Sequence, residues 1–148
     1  MNIPSTDLTQ RPPRSTRARL GGYVLLPRML DKGRAEIAGT SGEFHYNCPL
    51  DQRILGFLGL DPEALRAELA TGKGDHAIFE WIKANQSHKH TAAEIEAWSD
   101  EQAKRGPDAD SREYFDEMLK AAGPHRTDIQ TWADLLDLDD YVTYGGKA

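Results

Sequence analysis

The sequence predicts an all-α protein, a compact irregular bundle of about six or seven short helices with room for one small β-hairpin. Apolar residues recur at helical spacing in successive segments, which indicates amphipathic helices. Each segment covers only about two to four turns, and Gly or Pro punctuates the joins. Short helices with brief connections favour an irregular bundle over long parallel rods.

Length and composition favour one globular domain. The chain has 148 residues, of which 39% are hydrophobic and 28% are charged. These values exclude the disordered class, in which low hydrophobicity and high charge prevent a core from forming. We expect an extended basic lead-in over residues 1–19 and a single helical domain over residues 20–148.

Cysteine content and hydropathy favour a cytoplasmic location. Cys48 is the only cysteine, which excludes an intrachain disulfide and therefore a disulfide-stapled secreted fold. No apolar run approaches the roughly 18 residues that span a bilayer, and residues 1–22 lack the apolar core of a signal peptide. We expect a cytoplasmic protein with no membrane association.

Charge is divided unevenly along the chain. Residues 1–34 contain seven arginines and lysines but two aspartates, a balance of +5, which leaves −11 for the remainder because the total is −6. A basic arm binds either the phosphates of a nucleic acid or acidic groups of its own protein. These arginines are separated by Pro, Ser, Thr and Ala without aromatic residues between them. We therefore expect the arm to dock on its own domain, with nucleic acid as the less favoured partner.

The first predicted helix covers residues 23–38. An apolar arc runs along one side of it, and charged residues lie opposite. The arc comprises Tyr23, Leu26, Leu30 and Ile37, and the opposite face comprises Arg28, Lys32 and Glu36. Gly33 lies mid-helix, where glycine costs about 1 kcal/mol relative to alanine, so we expect another helix or a ligand to approach closely there. Residues 39–42 end the helix, and residues 43–47 form an extended connector or a small hairpin arm.

Proline marks the start of the next two helices. Pro49 occupies a first helical position, which makes Cys48 the N-cap of a second helix that ends at Gly59. Asp61 followed by Pro62 repeats this arrangement for a third helix, which we expect to continue to Gly72.

Four more helices follow, each with its own boundary signal. The fourth covers residues 75–84, and the fifth begins with a capping box formed by Thr91 and Glu94. Asp110 marks the start of the sixth helix, and the last covers residues 129–138. The core is expected to include Tyr114, Phe115, Met118 and Leu119 of the sixth helix, and the tryptophans Trp81, Trp98 and Trp132.

Two opposite charges fall within apolar arcs. Arg34 lies between apolar positions of the first helix, with Asp31 at the edge of the same arc, and Asp51 lies between apolar positions of the second helix. A buried ion pair between Arg34 and Asp51 is therefore expected, either to fix helix register or to bind a ligand. Asp51 also stands at the third helical position, where it can accept a hydrogen bond from the backbone N–H of Cys48.

Cys48 is the most reactive candidate in the sequence. A thiol at a helix N-terminus faces the positive end of the helix dipole, which favours the nucleophilic thiolate. His45 lies close enough in sequence to act as its base. Asp31 with Tyr46 is a second acid and base pair beside Arg34. Alternatively, Cys48 is a small buried cap without chemistry, because cysteine is among the most often buried residue types.

Histidines provide no convincing metal site. His88 and His90 lie in the polar segment HKH, with His76 one short helix earlier. Zinc requires three or four converging ligands, and neither HExxH nor CxxC occurs. We therefore expect neither a metal nor a cofactor.

Several ordered motifs resemble one family. LGGY, LPRMLDKGRA and CPLD occur in that order between residues 20 and 51, followed by AWSDE at 97–101 and DLLDLDD near the end. Together they resemble a bacterial family described as domain of unknown function 5069, over most of the chain. The resemblance implies a single cytoplasmic bacterial domain and supplies neither a cofactor nor catalytic residues. Members of that family often have Cys at the position of Gly33, so a mechanism that needs two thiols is not expected here.

Three hypotheses for function follow from these residues. The first is binding of a small anionic molecule or a protein partner near the first two helices, through Arg34 with Tyr23, His45 and Asp51. The second is a cofactor-independent enzyme that uses Cys48, or Asp31 and Tyr46, beside Arg34. The third is nucleic-acid binding by the basic arm. The sequence leaves the oligomeric state open.

Overall fold

The computed structural model describes residues 3–148 and contains seven helices and one hairpin within them. The prediction of an all-helical fold with one small hairpin is confirmed. The hairpin strands are β1 (Arg19–Leu20) and β2 (Tyr23–Val24). The helices are α1 (Leu26–Ala38), α2 (Pro49–Leu58), α3 (Pro62–Leu69), α4 (Asp75–Asn85), α5 (Ala92–Lys104), α6 (Arg112–Ala122) and α7 (Trp132–Thr143).

The hairpin lies before the first helix, and residues 43–47 form a connector with turns at both ends instead of a hairpin arm. β1 and β2 pair in an antiparallel register around Gly21 and Gly22, whose φ values are +59° and +88°. Two consecutive positive φ angles suit a tight two-residue turn, which glycine adopts without steric cost. Because Tyr23 and Val24 are used in this pairing, α1 begins at Leu26, three residues later than predicted.

Most other helix boundaries follow their predicted signals. α2 begins at Pro49 after Cys48, and the capping box of Thr91 and Glu94 starts α5. Two helices differ from prediction: α3 stops at Leu69 and continues as a turn, and α7 covers Trp132–Thr143 instead of residues 129–138, so that it begins three residues later and ends five residues later. The start of α7 has a second capping box, formed by Thr131 and Asp134.

Two apolar clusters hold the fold together. The larger joins the hairpin with α1, α2, α3 and α4, and Trp81 and Trp98 pack against it. The smaller lies between α6 and α7 around Phe115, with Trp132 packed against it. Tyr114 is not in the core as expected, because its side chain is 60% exposed whereas its neighbour Phe115 is fully buried.

Helix α1 is buried on every side. All ten residues from Leu26 to Ala35 are buried, including the charged residues Arg28 and Lys32 that we expected on a solvent face. Their charges have partners from other elements, as in the pair of Arg28 with Asp140 of α7 at 2.8 Å. The structure therefore makes α1 a central helix, whereas its periodicity indicates an amphipathic helix at the surface.

The N-terminal arm docks on its own domain, as the charge distribution predicts. Three of its four arginines form ion pairs with aspartates of α1, α4, α5 and α7. These pairs are Arg14 with Asp31 and Asp75, Arg17 with Asp134 and Asp137, and Arg19 of β1 with Asp100. None of the helices within residues 3–148 has both the length and the apolar character needed to cross a membrane.

Candidate ligand-binding cleft

A cleft of about 590 Å³ separates α1 and α2 from α6 and α7. We call it the basic cleft because four cationic side chains line it: Arg28, Lys32, Arg53 and Arg105. Its apolar lining includes Phe44, Tyr114, Met118, Trp132 and Leu136, and three carboxylates, Glu43, Asp108 and Asp139, also reach it. Combined apolar surface and a few polar groups are typical of small-molecule sites.

Two of the cations have no carboxylate partner. Within residues 3–148, neither Arg53 of α2 nor Arg105 at the end of α5 has a carboxylate oxygen within 4.0 Å. Arg53 donates a hydrogen bond of 3.3 Å to the amide oxygen of Gln102. Burial lowers the pKa of Arg105, and the positive charge of Arg53 lowers it further, against a smaller opposite effect of Asp108. The two guanidinium groups therefore repel each other at one wall of the cleft.

Arg105 also lies beside an aromatic ring. Its guanidinium carbon is 5.9 Å from the ring centroid of Trp132, within the range of a cation–π contact. The backbone N–H of Trp132 donates to the carbonyl of Arg105 at 3.0 Å, which joins the end of α5 to the start of α7. This backbone contact places the tryptophan and the arginine side by side in the cleft.

The other end of the cleft contains a buried lysine next to the cysteine. Lys32 lies 2.9 Å from a carboxylate oxygen of Asp51 and donates a second hydrogen bond, of 3.2 Å, to the sulfur of Cys48. Asn47 has a φ of +61° and turns its backbone N–H toward Asp51 at 3.0 Å. Burial raises the pKa of Asp51 despite the opposing effect of Lys32. Cys48 is half-buried and lines the cleft, so its sulfur is not sealed in the core.

The expected pair of Arg34 and Asp51 does not form. Arg34 instead donates to Asp75 of α4 at 2.7 Å and to the carbonyl of Lys73 at 3.1 Å. Lys32, not Arg34, reaches Asp51. Two residues along a helix correspond to a rotation of about 200°, so Lys32 and Arg34 face opposite sides of α1.

Of the seven side chains that the sequence singled out, Cys48 and His45 line the basic cleft and the other five lie elsewhere. Asp31 accepts hydrogen bonds from the backbone and the guanidinium group of Arg14, both at 2.9 Å. Tyr46 donates its hydroxyl to the carbonyl of Pro62 at 2.7 Å, and burial raises its pKa. Tyr23 is buried, edge-on to Phe57 and Phe79. Asp31 and Tyr46 therefore stabilise the packing of the fold, and neither side chain lines the cleft beside Cys48.

Sequence reasoning did not find the residues that make this cleft distinctive. Arg53 and Arg105 belong to different helical segments, and nothing in their local sequence marks them as unpaired. Trp132 was expected only as a core residue. The sequence shows that these residues exist, but only the packing of α2 against the end of α5 places them together.

His88 and His90 contact backbone carbonyl groups through their rings. His88 and His90 lie 3.2 and 2.7 Å from the carbonyl oxygens of Gly56 and Phe57, and the His90 ring stacks on Phe57. Within residues 3–148, no group of three or more His, Cys, Asp or Glu side chains is arranged to hold a metal ion.

Comparison with known proteins shows the family of this chain. The sequence profile of the family described as Domain of unknown function (DUF5069) matches residues 10–142. The protein is a member of the DUF5069 family. No curated protein matches the sequence. The match includes every residue that lines the basic cleft, so in this DUF5069 domain the cleft belongs to the family region itself.

Proposed function

We propose that the basic cleft binds a small organic anion, whose carboxylate or phosphate group is held by Arg53 and Arg105. The observation that carries this proposal is the pair of neighbouring guanidinium groups, for which the described part of the chain, residues 3–148, offers no carboxylate within 4.0 Å. The chain has 24 aspartates and glutamates but only 18 lysines and arginines, so carboxylate partners are abundant elsewhere. An anion between the two arginines would relieve their repulsion and accept charge-assisted hydrogen bonds.

The remaining surface of the cleft supports a ligand with an apolar portion. Trp132 and Tyr114 lie with ring centroids 6.3 Å apart and offer aromatic surface next to Arg105. The cleft volume of about 590 Å³ suits a metabolite-sized molecule rather than a polymer. We also propose a cytoplasmic location for the protein. The reducing environment of that compartment keeps the single cysteine, Cys48, as a free thiol.

A thermal-shift titration tests the proposal. Benzoate, inorganic phosphate and citrate are suitable probes, since they offer one or several oxyanion groups with and without an apolar part. A probe at a hundred times its Kd adds about 2.7 kcal/mol to the free energy of unfolding. For a chain of this size, that gain raises Tm by about 5 to 10 °C.

Variants of the two arginines make the test specific. We expect Arg53→Gln and Arg105→Gln to reduce the shift strongly. Arg11→Gln is the matched control, because Arg11 is exposed and lies outside the cleft. If no probe raises Tm, or if all three variants respond like the wild type, the proposal is wrong.

A second candidate function is covalent chemistry at Cys48. The hydrogen bond from Lys32 to the sulfur of Cys48 favours it, because both residues line the basic cleft. A cation that donates to the sulfur stabilises the thiolate, which is the nucleophilic form. The ion pair of Lys32 with Asp51 weakens this stabilisation of the thiolate, because the carboxylate neutralises part of the positive charge of the lysine.

Alkylation kinetics at pH 7 test this candidate. We expect Cys48 to react with iodoacetamide about tenfold faster than glutathione does, and Lys32→Gln to lose this advantage. A second measurement needs no variant: the basic cleft should favour iodoacetate over iodoacetamide more than glutathione does. If Cys48 reacts no faster than glutathione and shows no preference for iodoacetate, the candidate is rejected.

A further inference from the structure

A narrow second cavity of about 10 Å³ lies directly behind Trp132. We call it the inner cavity. It shares Arg105, Trp132, Leu50 and Leu136 with the basic cleft, and Thr16 of the N-terminal arm contributes to its lining. A volume of this size holds about one water molecule or one oxygen atom of a ligand. The inner cavity therefore adjoins the basic cleft at these four residues and has room for about one oxygen atom.

Two polar atoms at the inner cavity lack a protein partner. Within residues 3–148, Thr16 Oγ1 and Trp132 Nε1 are both buried without a hydrogen bond. Thr16 as a whole is only 5% exposed. Buried polar atoms are nearly always hydrogen-bonded in folded proteins, so two orphaned atoms at one cavity require an explanation. The two other orphaned atoms, Arg34 Nε and Gln86 Oε1, belong to residues that do not line this cavity.

Backbone contacts hold both residues in place. The carbonyl of Thr16 accepts a hydrogen bond of 3.1 Å from the backbone N–H of Leu25, which ties the arm to the start of α1. Trp132 is the first residue of α7, and its ring lies edge-on to buried Phe115 with centroids 5.1 Å apart. Thr16 is buried in this position, and rotation of the Trp132 ring would break its contact with Phe115. Both residues that carry an unpaired atom are thus held at the inner cavity by the packing of the fold.

We infer that Thr16 and Trp132 form an inner oxyanion subsite of the basic cleft. One oxygen of the bound carboxylate or phosphate enters the inner cavity and accepts hydrogen bonds from the Thr16 hydroxyl and the Trp132 indole N–H. A second oxygen of the same group pairs with Arg105. This inference rests on the proposed function and deepens it, since it states how the anionic group is recognised.

The chemistry of the three groups selects the ligand. An indole N–H and a guanidinium group only donate hydrogen bonds, and a hydroxyl can do so as well. Donors that converge on one position favour an oxygen that carries no proton and exclude amines and other cations. The ligand class is therefore an oxyanion at the end of a molecule whose remaining part extends past Trp132 into the larger cleft.

The indole N–H signal of Trp132 in a ¹⁵N-resolved NMR spectrum provides a direct test. The chain has three tryptophans, and Trp132→Phe identifies the relevant signal by its disappearance. Titration with benzoate or inorganic phosphate should move this signal saturably, with the same Kd that calorimetry gives. A response to benzoate alone assigns a carboxylate ligand, and a response to phosphate alone assigns a phosphate ligand.

Thr16 variants provide the matched comparison. Thr16→Val removes the hydroxyl at nearly constant shape and should weaken binding of the responsive probe about tenfold, as expected for one lost hydrogen bond to a charged group. Thr16→Ser keeps the hydroxyl and should bind within about twofold of the wild type. The free energy of unfolding of each variant, measured in urea, checks that both are folded.

The two proposals fail in distinguishable ways. If a probe binds in an Arg105-dependent manner while the indole signal stays still and Thr16→Val binds normally, the inner subsite is wrong and the anion cleft stands. In that case the two atoms hold a structural water only. If calorimetry detects no binding of either probe to the wild type, the proposed function is wrong and the subsite fails with it.

Discussion

The ammonium group of Lys32 lies 2.9 Å from a carboxylate oxygen of Asp51, and both side chains are almost completely buried at the junction of α1 and α2. The same ammonium donates to the sulfur of Cys48. One buried cation thus connects the packing of two helices with the lining of the basic cleft.

Loss of the Asp51 charge should strongly destabilise the fold. We expect Asp51→Asn to lower the free energy of unfolding by about 3 to 5 kcal/mol, because it leaves Lys32 charged and buried without a counterion. Urea unfolding at pH 7 measures the change. Glu96→Gln on exposed α5 is the control and should change the value by less than about 0.5 kcal/mol.

A double variant separates the charge from the packing. Lys32→Met with Asp51→Leu replaces the pair by apolar side chains and should recover most of the loss, since the desolvation cost of both ions disappears. If Asp51→Asn alone costs less than about 1 kcal/mol, Lys32 is not held as a buried cation by Asp51.

The pair of Lys32 and Asp51 also shows which features of the fold can be predicted from local sequence. Local signals located α2 through Pro49 and α5 through its capping box, because those signals act within one turn of the helix. The partner of a buried charge depends instead on which helix lies opposite. Periodicity placed Lys32 on the solvent side of α1 and Arg34 on the core side, but the hairpin, α2 and α3 pack against that helix and Arg34 pairs with Asp75 of α4.

The candidate site was predictable only in part, for the same reason. Cys48 and His45 could be named because they flank a helix start that the sequence marks. The basic cleft forms because Arg53, Arg105 and Trp132 lie together in the folded protein. No local sequence pattern around these residues predicts that they meet. The position of the hairpin was missed because Tyr23 and Val24 suit a strand as well as the first turn of a helix.

Two helical glycines should respond in opposite directions to the same substitution. A Cβ at Gly33 of α1 would lie 2.7 Å from Leu69 Cδ1 and 3.1 Å from a ring carbon of Tyr46, whereas a Cβ at Gly56 of α2 would meet nothing within 4 Å. Gly33→Ala should therefore destabilise the fold by about 1 to 3 kcal/mol through overpacking. Gly56→Ala should stabilise it by about 0.5 to 1 kcal/mol through helix propensity.

Urea unfolding of both variants under identical conditions checks this prediction. The expectation that another element approaches Gly33 is met by Leu69 of α3 and by Tyr46, not by a ligand. A stabilising effect of Gly33→Ala would show that α1 and α3 do not pack this closely.

The N-terminal arm should contribute salt-dependent stability through Arg14. Its guanidinium group binds Asp31 of α1 and Asp75 of α4, at 2.9 and 2.8 Å, and its side chain is 42% exposed. Partial exposure weakens such pairs, so we expect Arg14→Gln to cost about 1 to 2 kcal/mol at low ionic strength. Unfolding in urea at about 0.02 M and 0.5 M NaCl measures the effect, which should shrink at high salt because charges near the surface are screened.

Arg11 offers a matched control within the same arm. It is exposed, and no carboxylate within residues 3–148 pairs with it, so Arg11→Gln should change the free energy of unfolding by less than about 0.5 kcal/mol at either salt concentration. Equal effects of the two variants would contradict the assignment of Arg14 as the residue that fastens the arm.

Acid should weaken the start of α7 through Asp134. Burial alone would raise the pKa of this carboxyl, but the backbone N–H groups of Gln130 and Thr131 and the guanidinium group of Arg17 outweigh that effect and lower the pKa to about 2. An unfolded aspartate has a pKa of about 3.9, so the folded state binds this proton less readily than the unfolded state does. The stabilisation is therefore fully present above about pH 4 and is lost as the pH falls toward 2.

Asp134→Asn removes this pH dependence. The variant should be less stable than the wild type at pH 6, and the difference should shrink steadily below pH 4, as measured by urea unfolding at several pH values. Asp110→Asn, at an exposed aspartate near the start of α6, should follow the wild-type curve throughout. A difference between wild type and Asp134→Asn that stays constant from pH 6 to pH 2 would mean that the cap acts through its shape and not through its ionised carboxylate.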